Sequence, residues 1–389
     1  MSKSLTTVQP AERTGLLGFS DIVKIRNRVL ALKQAGTPIL QLEGGEPFSP
    51  TPDFIKEAMV AALAADQTRY APSSGLPSLL EAIHSKLSTR NGIVCDPSAI
   101  IVVAGGMHGL FCAFQALVNP GDEVIFFSPY WTPIKDLVTF SGGVPVRVPW
   151  EEVRAGSLES SLKKRLTGRS RVIYVNTPSN PTGDVLERPD LDIMARFAID
   201  NDLTVISDEA YEDLVYEGSH ESIGSLPGMS ERTISVYTLS KSYSMTGWRI
   251  GYLTAPEPLM AAIRKLVLNS INGVSTPTQV AAAAAIRDQS GHIDVMREQY
   301  RLRRDLLVEA LRNAGFICRT PAGAFYLFVN VKERLGADSW KAMNELLEKT
   351  GIATVPGVVF GPEGEGHLRM SYSSSIETLE KVAAALQKL

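Results

Sequence analysis

One lysine stands at the end of an apolar run and among hydroxyl residues, in Thr238-Leu239-Ser240-Lys241-Ser242-Tyr243-Ser244. A lysine amine is a nucleophile only without its proton, and a partly desolvated pocket lowers its pKa towards that state. Arg249 follows in Thr246-Gly247-Trp248-Arg249, and its planar guanidinium suits a phosphate. Ser240 and Ser242 add hydroxyl donors. A strand-end lysine in open solvent would show the same local pattern, so Lys241 gains meaning only from partners elsewhere.

Three other stretches offer such partners. In Ser207-Asp208-Glu209-Ala210-Tyr211, Asp208 ends an apolar run. A carboxylate there can pair with a protonated pyridine nitrogen, which keeps such a ring an electron sink. Tyr211 could donate to a ring oxygen. The competing reading is an N-cap aspartate with an acidic first turn. Asn176-Thr177-Pro178-Ser179-Asn180-Pro181-Thr182-Gly183 marks a tight, rigid loop. It makes Asn180 a candidate for a ring oxygen or a substrate carboxylate. In Ala104-Gly105-Gly106-Met107, glycines before a helical pattern let backbone N–H groups cradle a phosphate. A bare strand-to-helix turn needs the same residues.

The elements that must position these groups alternate. Short β-branched runs fall at Ile100 to Val103, Glu123 to Phe127, Val144 to Val148, Val172 to Val175, Leu203 to Ser207, Ile234 to Leu239 and Ile250 to Leu253. Amphipathic stretches such as Leu110 to Val118 and Leu191 to Ile199 lie between them. This predicts an α/β unit on a mainly parallel sheet, with ligands at the carboxyl ends of its strands. The tail reads as a long charged helix, Ile293 to Asn313, carrying Arg297, Arg301, Arg303 and Arg304, expected to be solvated. Strands at Ala324 to Val331 and Gly366 to Tyr372 and helices at Ser339 to Thr350 and Ile376 to Leu389 follow. They predict a smaller α+β unit joined by the N-terminal helix Ser20 to Ala35.

Bulk properties narrow the class. The chain has 389 residues, 44% hydrophobic and 21% charged, with a net charge of -3. That size and composition allow a full core, and the charge argues for neither nucleic acid nor an anionic membrane as partner. Cys95, Cys112 and Cys318 lack paired spacing, so no disulfide framework or zinc site is expected. The start lacks an apolar signal core and no run is long enough to span a bilayer, so a cytoplasmic protein is expected. No G-x-G-x-x-G follows a strand, which disfavours a nucleotide-binding oxidoreductase.

Together, Ser240-Lys241 with Thr246-Gly247-Trp248-Arg249-Ile250-Gly251-Tyr252, Asn180-Pro181-Thr182-Gly183 and Asp208-Glu209-Ala210-Tyr211 resemble the fold-type I, class I aminotransferases that use pyridoxal 5'-phosphate. The resemblance is to the bacterial aspartate and aromatic aminotransferases. It runs from Gly44-Gly45-Glu46-Pro47 to Leu368-Arg369-Met370-Ser371-Tyr372. It implies a seven-stranded, mainly parallel sheet in a large domain, 48–287, and a small domain built from 1–47 and 288–389. By the same resemblance, Lys241 would form the Schiff base and shuttle the proton. Asp208 would pair with the pyridine nitrogen, and Asn180 and Tyr211 would hold the ring oxygen. Trp131 would stack on the ring, with a buried core tryptophan as the alternative. Gly105, Gly106, the Met107 backbone, Ser240 and Arg249 would bind the phosphate. Tyr70 would reach it from the second subunit of a homodimer. Arg369 would grip the substrate α-carboxylate, helped by Asn180 and the Gly45 backbone, with Trp131 alongside. Met107 stands where many relatives carry a polar or charged side chain, which bears on substrate choice. The substrate side chain is expected near Phe19, Tyr326 and partner residues around Asn272.

The expected reaction is ping-pong transfer of an α-amino group from an amino acid to a 2-oxo acid. A β- or γ-lyase or a cyclising synthase would use the same motifs. A non-catalytic cofactor-binding regulator would lack a use for a complete set of catalytic groups.

Overall fold

The computed structural model describes residues 9–389. Its centre is a seven-stranded sheet: β1 (Ile100–Val103), β2 (Glu123–Ser128), β3 (Val144–Pro149), β4 (Ser170–Asn176), β5 (Thr204–Asp208), β6 (Thr233–Thr238) and β7 (Gly251–Thr254). The spatial order is β1-β7-β6-β5-β4-β2-β3. Only β7 runs antiparallel to its neighbours. Every residue of β1, β2 and β7 is buried. A strand covered on both faces has no polar side to show, hence its unbroken apolar run.

Helices cover both faces. They include α2 (Asp53–Ala64), α3 (Pro77–Arg90), α4 (Gly106–Leu117), α5 (Arg188–Asp200), α6 (Leu259–Ile271) and α7 (Thr276–Ile286), whereas the preceding helix α1 (Asp21–Gln34) packs with Leu347, Val355 and Phe360. Leu110, Phe114 and Leu117 of α4 pack with Ile101, Val124, Val172 and Ile206 on one face. Leu191, Met194 and Phe197 of α5 pack with Ile125, Ile173 and Val205 on the other. Each side chain of this size stabilises by roughly 1.5–3 kcal/mol when fully buried.

A second core gathers β8 (Tyr326–Asn330), β9 (His367–Ser371) and three helices, α8 (His292–Asn313), α9 (Ser339–Thr350) and α10 (Ile376–Leu386). β9 pairs antiparallel with β8, placing Arg369 opposite Phe328 and Ser371 opposite Tyr326. A short parallel pair, Leu40–Gln41 with Ile352–Ala353, ties the segment after α1 to this unit. Tyr211 and Leu214, which follow β5, also enter this second core. The chain just after Asp208 is thereby clamped between the two halves.

The long helix corrects one expectation. Arg304 is only 4% exposed, not solvated. Its guanidinium donates to the Pro321 carbonyl at 3.0 Å and lies over the Tyr216 ring. Arg297 and Arg303 likewise donate to main-chain carbonyls, of Asp213 and Ser374. These arginines join α8 to its surroundings, and their long stems cover apolar surface while their heads find acceptors.

Candidate active site

Three parallel strands deliver their last residues to one cavity of about 410 Å³, and a fourth leads into the helix that lines it. β4 ends at Asn176, β5 at Asp208 and β6 at Thr238, while β1 leads through Gly105 into α4. Asn176 and Asp208 are paired in register, so both face the same end of the sheet. The wall also carries Gly45, Glu46, Gly106, Met107, Leu110, Trp131, Asn180, Tyr211, Ser240, Lys241, Arg249, Tyr326 and Arg369. Ile22 and Arg26 of α1 close the remaining side.

Lys241 is not a surface lysine. Its amine donates to the Gly45 carbonyl at 2.7 Å, with the Tyr211 and Phe325 rings 5.8 and 5.7 Å away. Burial pulls its pKa down to about 8, reinforced by the cations of Arg369 and Arg249 and opposed by Glu46 and Asp208. Asp208 moves the other way. It is 6% exposed, and burial pushes its carboxyl up to about 6. The Tyr174 hydroxyl donates to its Oδ2 at 2.8 Å, and the Ala210 N–H to Oδ1 at 3.3 Å. Asp208 therefore caps a turn, and no helix begins there. Burial also drives Tyr211 far above the usual phenol range. It keeps its proton and shares a 2.9 Å hydrogen bond with Tyr326.

Arg369 is 2% exposed, and among the described residues no carboxylate pairs with it. One Nη donates to the Glu43 carbonyl at 2.7 Å and the other to Asn180 Oδ1 at 3.3 Å. The Tyr326 and Phe360 rings lie 4.6 and 4.9 Å from its centre. Its Nε is buried without a partner. A desolvated cation held only by neutral groups is a costly arrangement that an anionic ligand relieves.

At the opposite end, Arg249 sits in the left-handed region at φ 54°. Such strain concentrates where a function uses it. Its Nη1 donates to the Thr246 carbonyl at 2.7 Å. Gly105, at φ 80°, lies against this guanidinium: a Cβ there would come within 2.6 Å of Nη2. Gly105 thus acts from behind the wall, and Gly106 and Met107 open α4 beside it. First-turn N–H groups have no partner within a helix and carry its positive pole. With the Ser240 hydroxyl they form a cradle suited to phosphate. The residues present fit a pyridine-ring cofactor bearing a phosphate: a cradle, a buried carboxylate, a lysine titrating close to neutral, and Trp131 on the wall between them.

One expected neighbour, Phe19, lies outside the cavity, and Tyr70 and Asn272, expected from a second subunit, lie at the surface. Phe19 is 93% exposed and is not part of the cavity; α1 instead presents Ile22 and Arg26, one turn further along. Tyr70 is 90% exposed and lines a separate surface recess formed by 68–71 and 272–277, with Asn272. Tyr174, Asn176, Thr238, Ile22 and Arg26 were not read from the sequence. Asn176 had a usable signal, since it ends a strand next to the Asn180 loop. Tyr174 sits inside an apolar strand, where a tyrosine reads as core.

This architecture defines a fold-type I pyridoxal-phosphate enzyme. The sequence profile of the family "Aminotransferase class I and II" matches residues 37–386. The aspartate/prephenate aminotransferase of Thermus thermophilus is 39% identical over 93% of this chain and 94% of its own. Among solved structures, the aspartate aminotransferase of that organism with maleate matches with a TM-score of 0.93. It is 37% identical and covers 98% of this chain and 99% of its own. The aromatic aminotransferase of Pyrococcus horikoshii matches with a TM-score of 0.87, at 37% identity over 92% of this chain and 97% of its own. The chain belongs to the class I and II aminotransferases, and it is a pyridoxal-phosphate-dependent aminotransferase.

The raised carboxyl has a measurable consequence. Because its folded pKa lies above the unfolded value, ionised Asp208 costs stability above pH 6, and the cost fades as pH falls towards about 4. Asp208→Asn is expected to stabilise the cofactor-free protein by roughly 1–3 kcal/mol near pH 8, shrinking by about half at pH 5. Urea unfolding at the two pH values measures this. A variant less stable than its parent at pH 8 would contradict it.

Proposed function

We propose that Lys241, Asp208 and Arg369 divide the work of amino-group transfer in this cavity. The observation that supports this reading is the conjunction on one wall of a buried amine pulled towards neutrality, a buried carboxylate and an unpaired buried guanidinium. Pyridoxal phosphate, when bound, supplies a conjugated pyridine ring that takes up the electron pair released at the substrate α-carbon. Ser240, Arg249 and the Gly106 and Met107 N–H groups hold the phosphate, with Gly105 keeping Arg249 in place. Asp208 holds the proton on the ring nitrogen. Tyr211 and Asn180 hold the ring oxygen, and Trp131 covers one ring face. Lys241 anchors the cofactor through its amine. Once released, the amine takes the proton from the substrate α-carbon, a task that suits a base titrating near the working pH. Arg369 grips the α-carboxylate as a fork, helped by Asn180 and Gly45. The cavity would lie between a cofactor-holding domain, 48–287, and a smaller one from 1–47 and 288–389.

The substrate side chain meets Ile22, Met107, Leu110, Trp131 and Tyr326, so an apolar or aromatic amino acid is the preferred donor. Arg26 on the same wall supports a second reading, an acidic donor. Relatives carry both names, aromatic and aspartate/prephenate. Addition of phenylalanine, tyrosine, leucine or aspartate to the loaded protein, followed by absorbance, separates these readings. The expected result is loss of the cofactor's visible band with one equivalent of 2-oxo acid, fastest for an apolar or aromatic donor. Release of ammonia would point to a lyase. Lys241→Ala is expected to lower turnover by roughly 10²–10⁴ or more.

A second copy of the chain is the expected partner. Leu16, Leu17, Phe19, Phe48, Tyr70 and Leu268 are large apolar or aromatic side chains left exposed, and a second copy would take such side chains out of water. Tyr70 would then reach the phosphate of the neighbouring site. Sedimentation should give twice the 42.2 kDa chain mass; a fully active monomer would overturn this. Among the described residues no helix is long and apolar enough to cross a membrane. Cytoplasm, where amino-acid and 2-oxo-acid pools meet, is the compartment this reading expects.

A further inference from the structure

We infer that Tyr174 is a positioning residue whose hydroxyl fixes the Asp208 carboxylate, ionised and aimed, for the cofactor's ring nitrogen. The inference rests on the reading of Asp208 as the partner of that nitrogen.

The geometry singles out Tyr174. It lies in β4, directly beside β5, and is 3% exposed. Its ring packs in the core under α4, with Phe114 at 6.2 Å between ring centroids and Val172 and Ile206 alongside. Those neighbours are apolar, so packing alone would accept a phenylalanine. A buried hydroxyl without a partner is costly, and the Tyr174 hydroxyl finds one partner among the described residues, Asp208 Oδ2 at 2.8 Å. The other donor to this carboxylate, the Ala210 N–H, is at a long 3.3 Å. β4 also fixes the main chain of Asp208, because the Asn176 amide donates to its carbonyl at 3.1 Å. The strand next door therefore holds Asp208 by both its side chain and its backbone.

The charges around Asp208 explain why that hydroxyl is needed. Burial favours the neutral acid, and Glu209, the next residue, does the same. Glu209 is itself held ionised by His220 and by Ser222. Tyr211 keeps its proton and contributes no charge, and α4 presents apolar side chains. Against these stand the Tyr174 hydroxyl, the Ala210 N–H and the Lys241 cation. The Lys241 amine is uncharged before it takes the substrate proton and charged afterwards, so its contribution changes during turnover. Tyr174 is the side-chain contribution that persists through turnover. Without it the carboxyl takes up a proton at higher pH and no longer holds one on the ring nitrogen. The ring then withdraws electrons less strongly, which slows proton removal from the substrate and leaves the Arg369 contact intact.

Tyr174→Phe in the loaded protein tests this through the ring nitrogen itself. With ¹⁵N-labelled cofactor, its nitrogen resonance is expected to move from the protonated towards the unprotonated position between pH 6 and 8. The acid limb of kcat should move to higher pH, and kcat should fall roughly 10-fold or more, the loss of a hydrogen bond to a charged group, with KM changed little. Added to Asp208→Asn, the substitution should cost nothing further, because the two act as one unit. A parental resonance and acid limb in Tyr174→Phe, with Asp208→Asn deprotonating the ring, would overturn the role of Tyr174. A protonated ring in Asp208→Asn would instead overturn the reading of Asp208. Should Tyr174→Phe fail to fold, a fluorinated tyrosine at position 174 keeps the shape and makes a stronger donor. It should move the acid limb to lower pH, and an unmoved limb would again overturn the inference.

Discussion

Desolvation of a mixed set of charges at one end of a parallel sheet is the constraint on which the site depends. The same burial moves Lys241 and Asp208 in opposite directions, to about 8 and about 6. In water the two groups would sit far apart on the pH scale, each firmly charged at neutrality. In the cavity the amine comes within reach of its neutral, nucleophilic form, while the carboxylate needs help to stay ionised. Paired groups with environments that displace their pKa values mark acid and base assignments.

The scaffold makes that arrangement affordable. Backbone registers that no single side chain sets place Asn176 of β4 beside Asp208 of β5, and Asp208 beside Val236 of β6, two residues before Thr238. Beyond them, the turn after Asp208 is locked by a buried polar network. Ser207, His220 and Ser222 serve the Glu209 carboxylate, and Lys86 and Asn91 serve that of Glu212. Each carboxylate oxygen of Glu209 and Glu212 has a donor, which is the condition for burying charge without losing stability. Rigid support of this kind matters because a catalytic group misplaced by about 1 Å can lose roughly 10² in rate.

Much of this was legible in the sequence, for reasons that differ by element. All seven strands of the large sheet coincide with the β-branched runs; in the inner strands double burial leaves no polar alternation to confuse the pattern, and the partly exposed edge strand β3 is marked by its valines alone. Helices α2, α3, α6 and α7 were not read. α7 is buried on nearly every side, so it lacks the one-sided stripe that announces a helix. Lys241, Asp208, Asn180 and Arg249 sit in dense local motifs, Arg369 is marked only by the family resemblance, and the fold brings all five to one cavity. Ile22 and Arg26 escaped because they come from an N-terminal helix, and nothing local marks the face that closes the site. Arg304 reads as solvated because its neighbour Asp305 looks like an ordinary surface partner, while the Pro321 carbonyl and the Tyr216 ring that bury it are brought there by the fold.

The central claim is that Lys241, whose amine lies in the cavity with its pKa pulled down to about 8, is the lysine that binds the cofactor carbonyl. Borohydride reduction of the loaded protein, followed by peptide mass mapping, tests it most directly. The account predicts one cofactor-derived mass addition per chain, on the peptide containing Lys241. Stoichiometric attachment at any other lysine, or complete release of the cofactor after reduction, would contradict it.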